Sequence, residues 1–205
     1  MEIINLYPGD FASACYLLTE GEDAVLIDCS APVSSVREAL SRTGATLRAI
    51  LCTHGHFDHV LTADDMREAF GVPLLIHEAD AEMLTDGHKN AFALFAGYEK
   101  AWRAAERTFT DGEQLTFGAL TLTVRHTPGH SRGSSMLFTG EIAFSGDTVF
   151  ANTFGRTDLY GGNPAMLYRT LLALKELPPE TVIYPGHGAA APLGDALHNI
   201  FSKNS

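Results

Sequence analysis

The spacing of apolar and polar positions changes several times along the chain. EIINLY, SACYLLT and DAVLID are short apolar runs separated by the Gly-containing stretches PGD and EGED, a pattern that predicts three strands and two turns. PVSSVREALSRTG then takes up helical spacing, with Val33, Val36 and Leu40 apolar, a Pro near its start and Gly44 behind it. LRAILCT is strand-like. TADDMREAF reads as a helix ending at Gly71, VPLLIH as another short strand, and EADAEMLTD as a short helix. Residues 88–110 read as a loop or an irregular helical insertion. Its aromatic residues Phe92, Phe95, Tyr98 and Trp102 either pack or line a pocket, packing being the commoner outcome.

From Asp111 the pattern turns back to strands: EQLTFG, LTLTVRHT, SSMLFT and EIAFSG, with turns at Asp111-Gly112 and Thr139-Gly140. PAMLYRTLLALKEL is helical, with Pro in its first turn and two further prolines beyond it. TVIYPGHG is a last strand and LGDALHNIFSK a short helix. The order departs from a simple alternation of strand and helix. It predicts an α/β fold of two mixed sheets with helices on the outer faces, as one domain over residues 1–205. TPGHS (Thr127–Ser131) and YPGHG (Tyr184–Gly188) resemble each other and both follow a predicted strand, but they are too short to establish a duplication.

Composition narrows the function. Hydrophobic residues make up 45% and charged residues 19% of 205, a globular balance. No apolar run reaches the roughly eighteen residues a membrane span needs. The start, MEIINLYPGD, lacks a basic region followed by an apolar one, which points to the cytoplasm. A net charge of −11 argues against a nucleic-acid surface. Cys15, Cys29 and Cys52 each sit in an apolar run, which predicts buried reduced thiols; a nucleophilic cysteine would need a neighbouring base, and none stands beside Cys15 or Cys29.

The candidate chemistry lies in CTHGHFDHV. His54, His56, Asp58 and His59 fall within six positions. On extended chain His54 and His56 share one side and can hold one metal ion; Asp58 and His59, after the chain turns, can face a second. Ordinary packing does not favour four such groups together, because burying them unpaired is costly. His130, Asp147 and His187 are further candidates, each after a strand-like run and beside Gly. Asp147, through both oxygens, could bridge two ions. His77, His88, His126 and His198 read as polar surface residues, His126 being the one close enough to His130 to support it.

Taken in order, THGHFDH, TPGHS, SGDT and YPGHG resemble the motif set of the metallo-β-lactamase superfamily over almost the whole chain. The resemblance implies an αββα sandwich with the metals in loops at one edge of the sheets. GDTVFANTFGRTDLYGGN (Gly146–Asn163) resembles the short, single-domain members of its glyoxalase II-like branch, whose namesake cleaves the thioester S-lactoylglutathione. That implies His54, His56 and His130 on a first metal, Asp58, His59 and His187 on a second, and Asp147 between them. Zinc is the first choice of ion, with iron or manganese as alternatives. Two departures from glyoxalase II stand out. Its additional C-terminal helical domain has no counterpart, since the chain ends about eighteen residues after His187, and Arg156 stands where it has a substrate-binding Lys. Arg156 either holds a substrate carboxylate or pairs with Asp158.

The expectation is a binuclear hydrolase of a small-molecule thioester, with or without glutathione as its thiol. In it a metal-activated hydroxide attacks the carbonyl and Asp58 takes a proton or orients water. Three alternatives remain: a persulfide dioxygenase with one iron on His54, His130 and Asp147; a lactone or ester hydrolase of the same fold; and a non-catalytic metal-stabilised scaffold. Nothing in the sequence specifies an oligomeric state.

Overall fold

The structure, a computed structural model, describes residues 1–6, 9 and 12–202. Tyr7 of the first predicted strand, Pro8 and Asp10 of the PGD turn and Lys203 of the last predicted helix lie outside the described residues.

Six strands form the first sheet in sequence order: β1 (Glu2–Asn5), β2 (Tyr16–Glu20), β3 (Asp23–Ile27), β4 (Thr46–Leu51), β5 (Leu74–His77) and β6 (Arg107–Phe109). The β1–β2 and β2–β3 pairs are antiparallel; β3 through β6 run parallel. Helices α1 (Val33–Thr43), α2 (Ala63–Phe70), α3 (Ala81–Leu84) and α4 (Phe92–Ala96) lie in the connections. The second sheet holds β7 (Gln114–Phe117), β8 (Leu120–His126), β9 (Ser135–Thr139), β10 (Ile142–Gly146), β11 (Val182–Pro185) and β12 (Ala191–Pro192), with only β10–β11 parallel. Helices α5 (Pro164–Leu174) and α6 (Leu193–Ser202) complete the chain.

Two-residue alternation builds the layers. Tyr16 and Leu18 of β2 face Leu122, Leu137 and Phe144 of the other sheet, in a core between the sheets. Leu17 and the preceding Cys15 point the other way, onto Val36 and Leu40 of α1 and Met66 of α2. In the second sheet Phe144 points inward while Ala143 and Met136 meet Leu167 and Leu171 of α5 and Leu197 of α6. Strands covered on both faces read as continuous apolar runs, which is why the sequence shows them clearly. The result is the expected αββα order.

Local chemistry sets the ends of the helices. Gly44, at φ 73°, ends α1 with its N–H on Leu40 O. At α5 the Asn163 side chain accepts from Met166 N–H and Pro164 opens the first turn, a cap worth about 1 kcal/mol.

Three expectations change. β6 and β12 were not anticipated, being three and two residues long. Residues 88–110 contain the single helix α4, then β6 after a loop; Phe92 and Trp102 are buried in the core, whereas Phe95 and Tyr98 are exposed. His77 is not a surface residue. It is 4% exposed, its Nδ1 accepts from Ala79 N–H at 3.2 Å, and its ring stacks on His126 with centroids 4.1 Å apart. His126 in turn meets the Arg132 carbonyl at 2.8 Å, so it braces that loop instead of contacting His130. His88 and His198 are exposed, as expected.

The buried His77 carries a pH consequence. Burial, with His126 close by, holds its pKa down at about 4, against an ordinary value of 6.5. Between those values the unfolded chain binds the proton and the folded one does not, so acidification from 6.5 toward 4 removes stability. Replacing His77 with Phe removes that contribution. The fall in Tm from pH 7 to pH 5 is expected to be smaller in the variant than in the wild type; equal falls would contradict the assignment.

The three cysteines are buried and free, as expected. Burial pushes the Cys15 thiol up to about 12 and the Cys29 thiol well above its ordinary value, so neither offers a thiolate.

Candidate metal centre

Parallel strands deliver their C-terminal ends to one edge of a sheet, and ligand sites in such sheets gather there. Asp28 follows β3, residues 52–59 follow β4, Asp147 follows β10, and Gly186 and His187 follow β11; Thr127–His130 leave β8. These loops converge.

His130 Nε2 stands 2.8 Å from His56 Nδ1 and 3.1 Å from His54 Nε2. Beside this trio, His187 Nε2 lies 3.0 Å from Asp58 Oδ2, and His59 Nε2 lies 3.7 Å from the same oxygen. Asp147 sits between the two groups. Its Oδ1 is 3.3 Å from His59, and its Oδ2 is 3.7 Å from both His130 and His187. Three sets bring their ligand atoms within 4.8 Å and could hold an ion: His54–His56–His130, His54–His59–Asp147 and Asp58–His59–His187. All seven donors singled out in the sequence are thus brought together.

Their chemistry fits divalent cations. His59 Nε2 and Asp147 Oδ1 are buried at the centre without a hydrogen-bond partner. Such atoms are costly to leave unpaired, and a cation among them supplies the missing partner. Imidazole and carboxylate donors suit zinc, iron and manganese. The backbone makes room for the cluster: a Cβ on Gly186 would stand 2.4 Å from Asp147 Oδ1, and one on Gly155 would stand 2.8 Å from His130 Nδ1.

The donors differ in the charge state that their surroundings favour. Burial, with the neighbouring imidazoles, holds His54 well below its ordinary pKa and brings His56 to about 3, so both are neutral donors. Burial opposes charge on Asp147 and Asp58, but the facing histidines hold both carboxyls ionised. Burial also opposes a proton on His59, yet Asp28, Asp58 and Asp147 together raise it. At His187 the hydrogen bond that its ring donates to the Asp58 carboxylate leads, and the pKa rises.

Sequence reasoning missed two buried carboxylates that position this cluster. Asp28 accepts Thr53 N–H at 2.8 Å and the Thr53 hydroxyl at 2.9 Å, and its Oδ2 meets His59 Nδ1 at 2.7 Å. Thr53 Oγ1 also contacts His54 Nδ1 at 3.2 Å. Asp80 accepts Gly55 N–H, the Ser131 hydroxyl and Gly133 N–H at 3.1, 2.6 and 2.6 Å, tying the His54–His56 loop to the loop of His130. The signal for Asp28 was a charge at the end of a fully apolar strand run; Asp80 lay in what read only as a short helix.

Five of the donors, His56, Asp58, His130, Asp147 and His187, open into a cavity of about 300 Å³. Phe57, Phe95, Phe150 and Leu159 line it with Arg156. The Arg156 carbonyl meets His130 Nδ1 at 2.7 Å. Its guanidinium donates to both oxygens of Asp158 at 2.7 Å.

Comparison with known proteins follows the same line. The sequence model of the Metallo-beta-lactamase superfamily matches residues 8–187. An uncharacterized protein of Mycobacterium leprae is 36% identical over 95% of this chain and 94% of its own length. A probable metallo-hydrolase of Bacillus subtilis is 31% identical, covering 88% of this chain and 87% of its own. A hydroxyacylglutathione hydrolase of Brucella ovis is 33% identical over 83% of this chain, which spans 60% of that protein. Among solved structures, the B3 metallo-beta-lactamase BLEG-1 superposes with a TM-score of 0.89 at 32% identity, and TTHA1623 in a di-iron-bound form with 0.83 at 33%; each match covers 98% of both chains.

Proposed function

The chain belongs to the metallo-beta-lactamase superfamily, and we propose that within it the protein is a binuclear metal-dependent hydrolase of thioesters, of which S-D-lactoylglutathione is the type compound. The observation that carries this reading is the second donor set. Asp58, His59 and His187 stand beside His54, His56 and His130, with Asp147 facing both. A single-iron dioxygenase needs only His54, His130 and Asp147. The resemblance of Gly146–Asn163 to the short glyoxalase II-like hydrolases and the Brucella relative support a thioester as substrate.

His54, His56 and His130 would hold one ion and Asp58, His59 and His187 the other, with Asp147 between. When bound, divalent ions supply a Lewis acid for the carbonyl and a water whose pKa is lowered toward neutrality. The chain's own groups do the rest. The Arg156 carbonyl accepts from His130 Nδ1–H, and Thr53 Oγ1 accepts from His54 Nδ1–H, so each ring turns its Nε2 lone pair inward. Asp28 does the same for His59. Asp58, in the cavity wall, is placed to accept a proton from the attacking water. Phe57, Phe95 and Phe150 keep bulk water from the reacting carbonyl. Overall, water oxygen bonds to the acyl carbon, the C–S bond breaks with its electron pair on sulfur, and the products are a carboxylate and a thiol. A thiolate leaves readily because a thiol's pKa is only about 8.5, so no dedicated acid is required.

Protein purified without added metal or chelator is expected to carry about two ions per chain and to release thiol from thioesters, with activity lost on chelation. About one iron per chain, with oxygen uptake on glutathione persulfide, would replace this reading by the dioxygenase.

A further inference from the structure

Resting on the thioesterase reading, we propose that the half of the substrate that leaves as thiol is uncharged and apolar, so that the site discriminates against thiols carrying carboxylates, glutathione among them. The cavity wall beyond the metal donors supplies the argument. It is built by Phe57, Phe95, Phe150 and Leu159, and among the described residues Arg156 is the one Lys or Arg that lines it. A thiol bearing carboxylates needs cations at this rim.

Arg156 is already engaged through its fork. Its Nε and Nη2 donate to the two oxygens of Asp158 at 2.7 Å, a fork-to-carboxylate pairing, and its Cζ stands over the Phe95 ring, 5.7 Å from the centroid. To bind a substrate carboxylate through the same fork, Arg156 would have to give up an equivalent bidentate partner. The exchange gains little and leaves Asp158 beside the newcomer as a like charge. The pairing also explains why an arginine at this position need not act as a substrate-binding lysine would.

The surroundings of the mouth point the same way. Phe95, on α4, lines the cavity and is 55% exposed. An exposed aromatic ring in the cavity wall offers an apolar group a surface to pack on. The whole chain carries −11, so no general positive field draws in an anion.

The test uses three thioesters with one acyl group and different thiols: glutathione, N-acetylcysteamine and benzyl mercaptan. The two neutral thiols are no better leaving groups than glutathione, so faster turnover of their esters reports binding. The metal-loaded protein is expected to favour the benzyl ester over the glutathione ester by about tenfold or more in kcat/KM, mainly through KM, the scale on which an apolar pocket discriminates. In Asp158→Asn, which releases Arg156, the ratio is expected to shift toward the glutathione ester by about tenfold. A wild type that prefers the glutathione ester, or a ratio unmoved by Asp158→Asn, overturns the proposal. If none of the three esters is cleaved, it is the hydrolase reading that fails. Calorimetry with S-benzylglutathione and S-benzyl-N-acetylcysteamine then still decides the inference: tighter binding of the glutathione thioether overturns it, and tighter binding of the neutral one upholds it.

Discussion

Asp147→Ala is expected to release at least one metal ion per chain and to lower kcat/KM on the order of 10³-fold, since losing several kcal/mol of charge stabilisation costs a decade per 1.36 kcal/mol. The geometry explains why this single side chain matters so much. Its Oδ1 faces His59, and its Oδ2 stands equidistant, at 3.7 Å, from His130 in one donor set and His187 in the other. It is therefore the anion shared by both sets. Two dications bound side by side would repel each other, and a carboxylate facing both donor sets would offset that repulsion. Alanine leaves the imidazoles in place but removes the shared charge. Elemental analysis of the purified variant, beside its kcat/KM, checks both halves of the expectation. Wild-type activity with both ions retained would show that Asp147 does not bridge.

The donors were legible in the sequence because their chemistry is out of place. A strand run such as LRAILCT can end in many polar residues, but His54, His56, Asp58 and His59 so close together have no packing rationale. The strands were legible because both faces of each sheet are covered, so β2, β3 and β10 are nearly unbroken apolar runs. What was not legible arises from partners distant in sequence. His77 looked like a polar strand end; its burial comes from His126, contributed by the other sheet. Asp80 falls in a stretch that reads only as a short helix; its partners Ser131 and Gly133 are more than fifty residues away. β6 and β12 carry too few residues to show a period, and each exists because a longer strand beside it offers a free edge. Arg156 was ambiguous because a guanidinium two residues from a carboxylate can serve either the neighbour or a ligand. Only the observed fork on Asp158 distinguishes the two contacts.

Asp28 is the position where that gap between sequence and structure has its largest consequence. It is buried and lies at φ 57°, the left-handed region that Asn tolerates and alanine does not readily adopt. Asp28→Asn therefore preserves the backbone and changes only the chemistry. The carboxylate accepts three hydrogens, from Thr53 N, Thr53 Oγ1 and His59 Nδ1. An amide can accept on one side only. If its oxygen stays on Thr53, its NH₂ faces His59 Nδ1, which must become an acceptor and send its proton to Nε2. Nε2 is the atom turned toward Asp58 and Asp147, so the ring loses the lone pair a metal needs. If the amide turns over, its oxygen keeps the Thr53 hydroxyl and His59 Nδ1, but its NH₂ meets Thr53 N–H donor to donor and disturbs the loop that carries His54. Affinity for the second ion is expected to fall by about 10- to 100-fold, the usual cost of removing a partner behind a ligand. Competition with a chromophoric chelator measures it directly, and unchanged affinity would sink the assignment. The two substitutions also separate by rescue. Excess metal should restore turnover in Asp28→Asn, where all seven donors remain, and should not restore it in Asp147→Ala, where the shared one is gone.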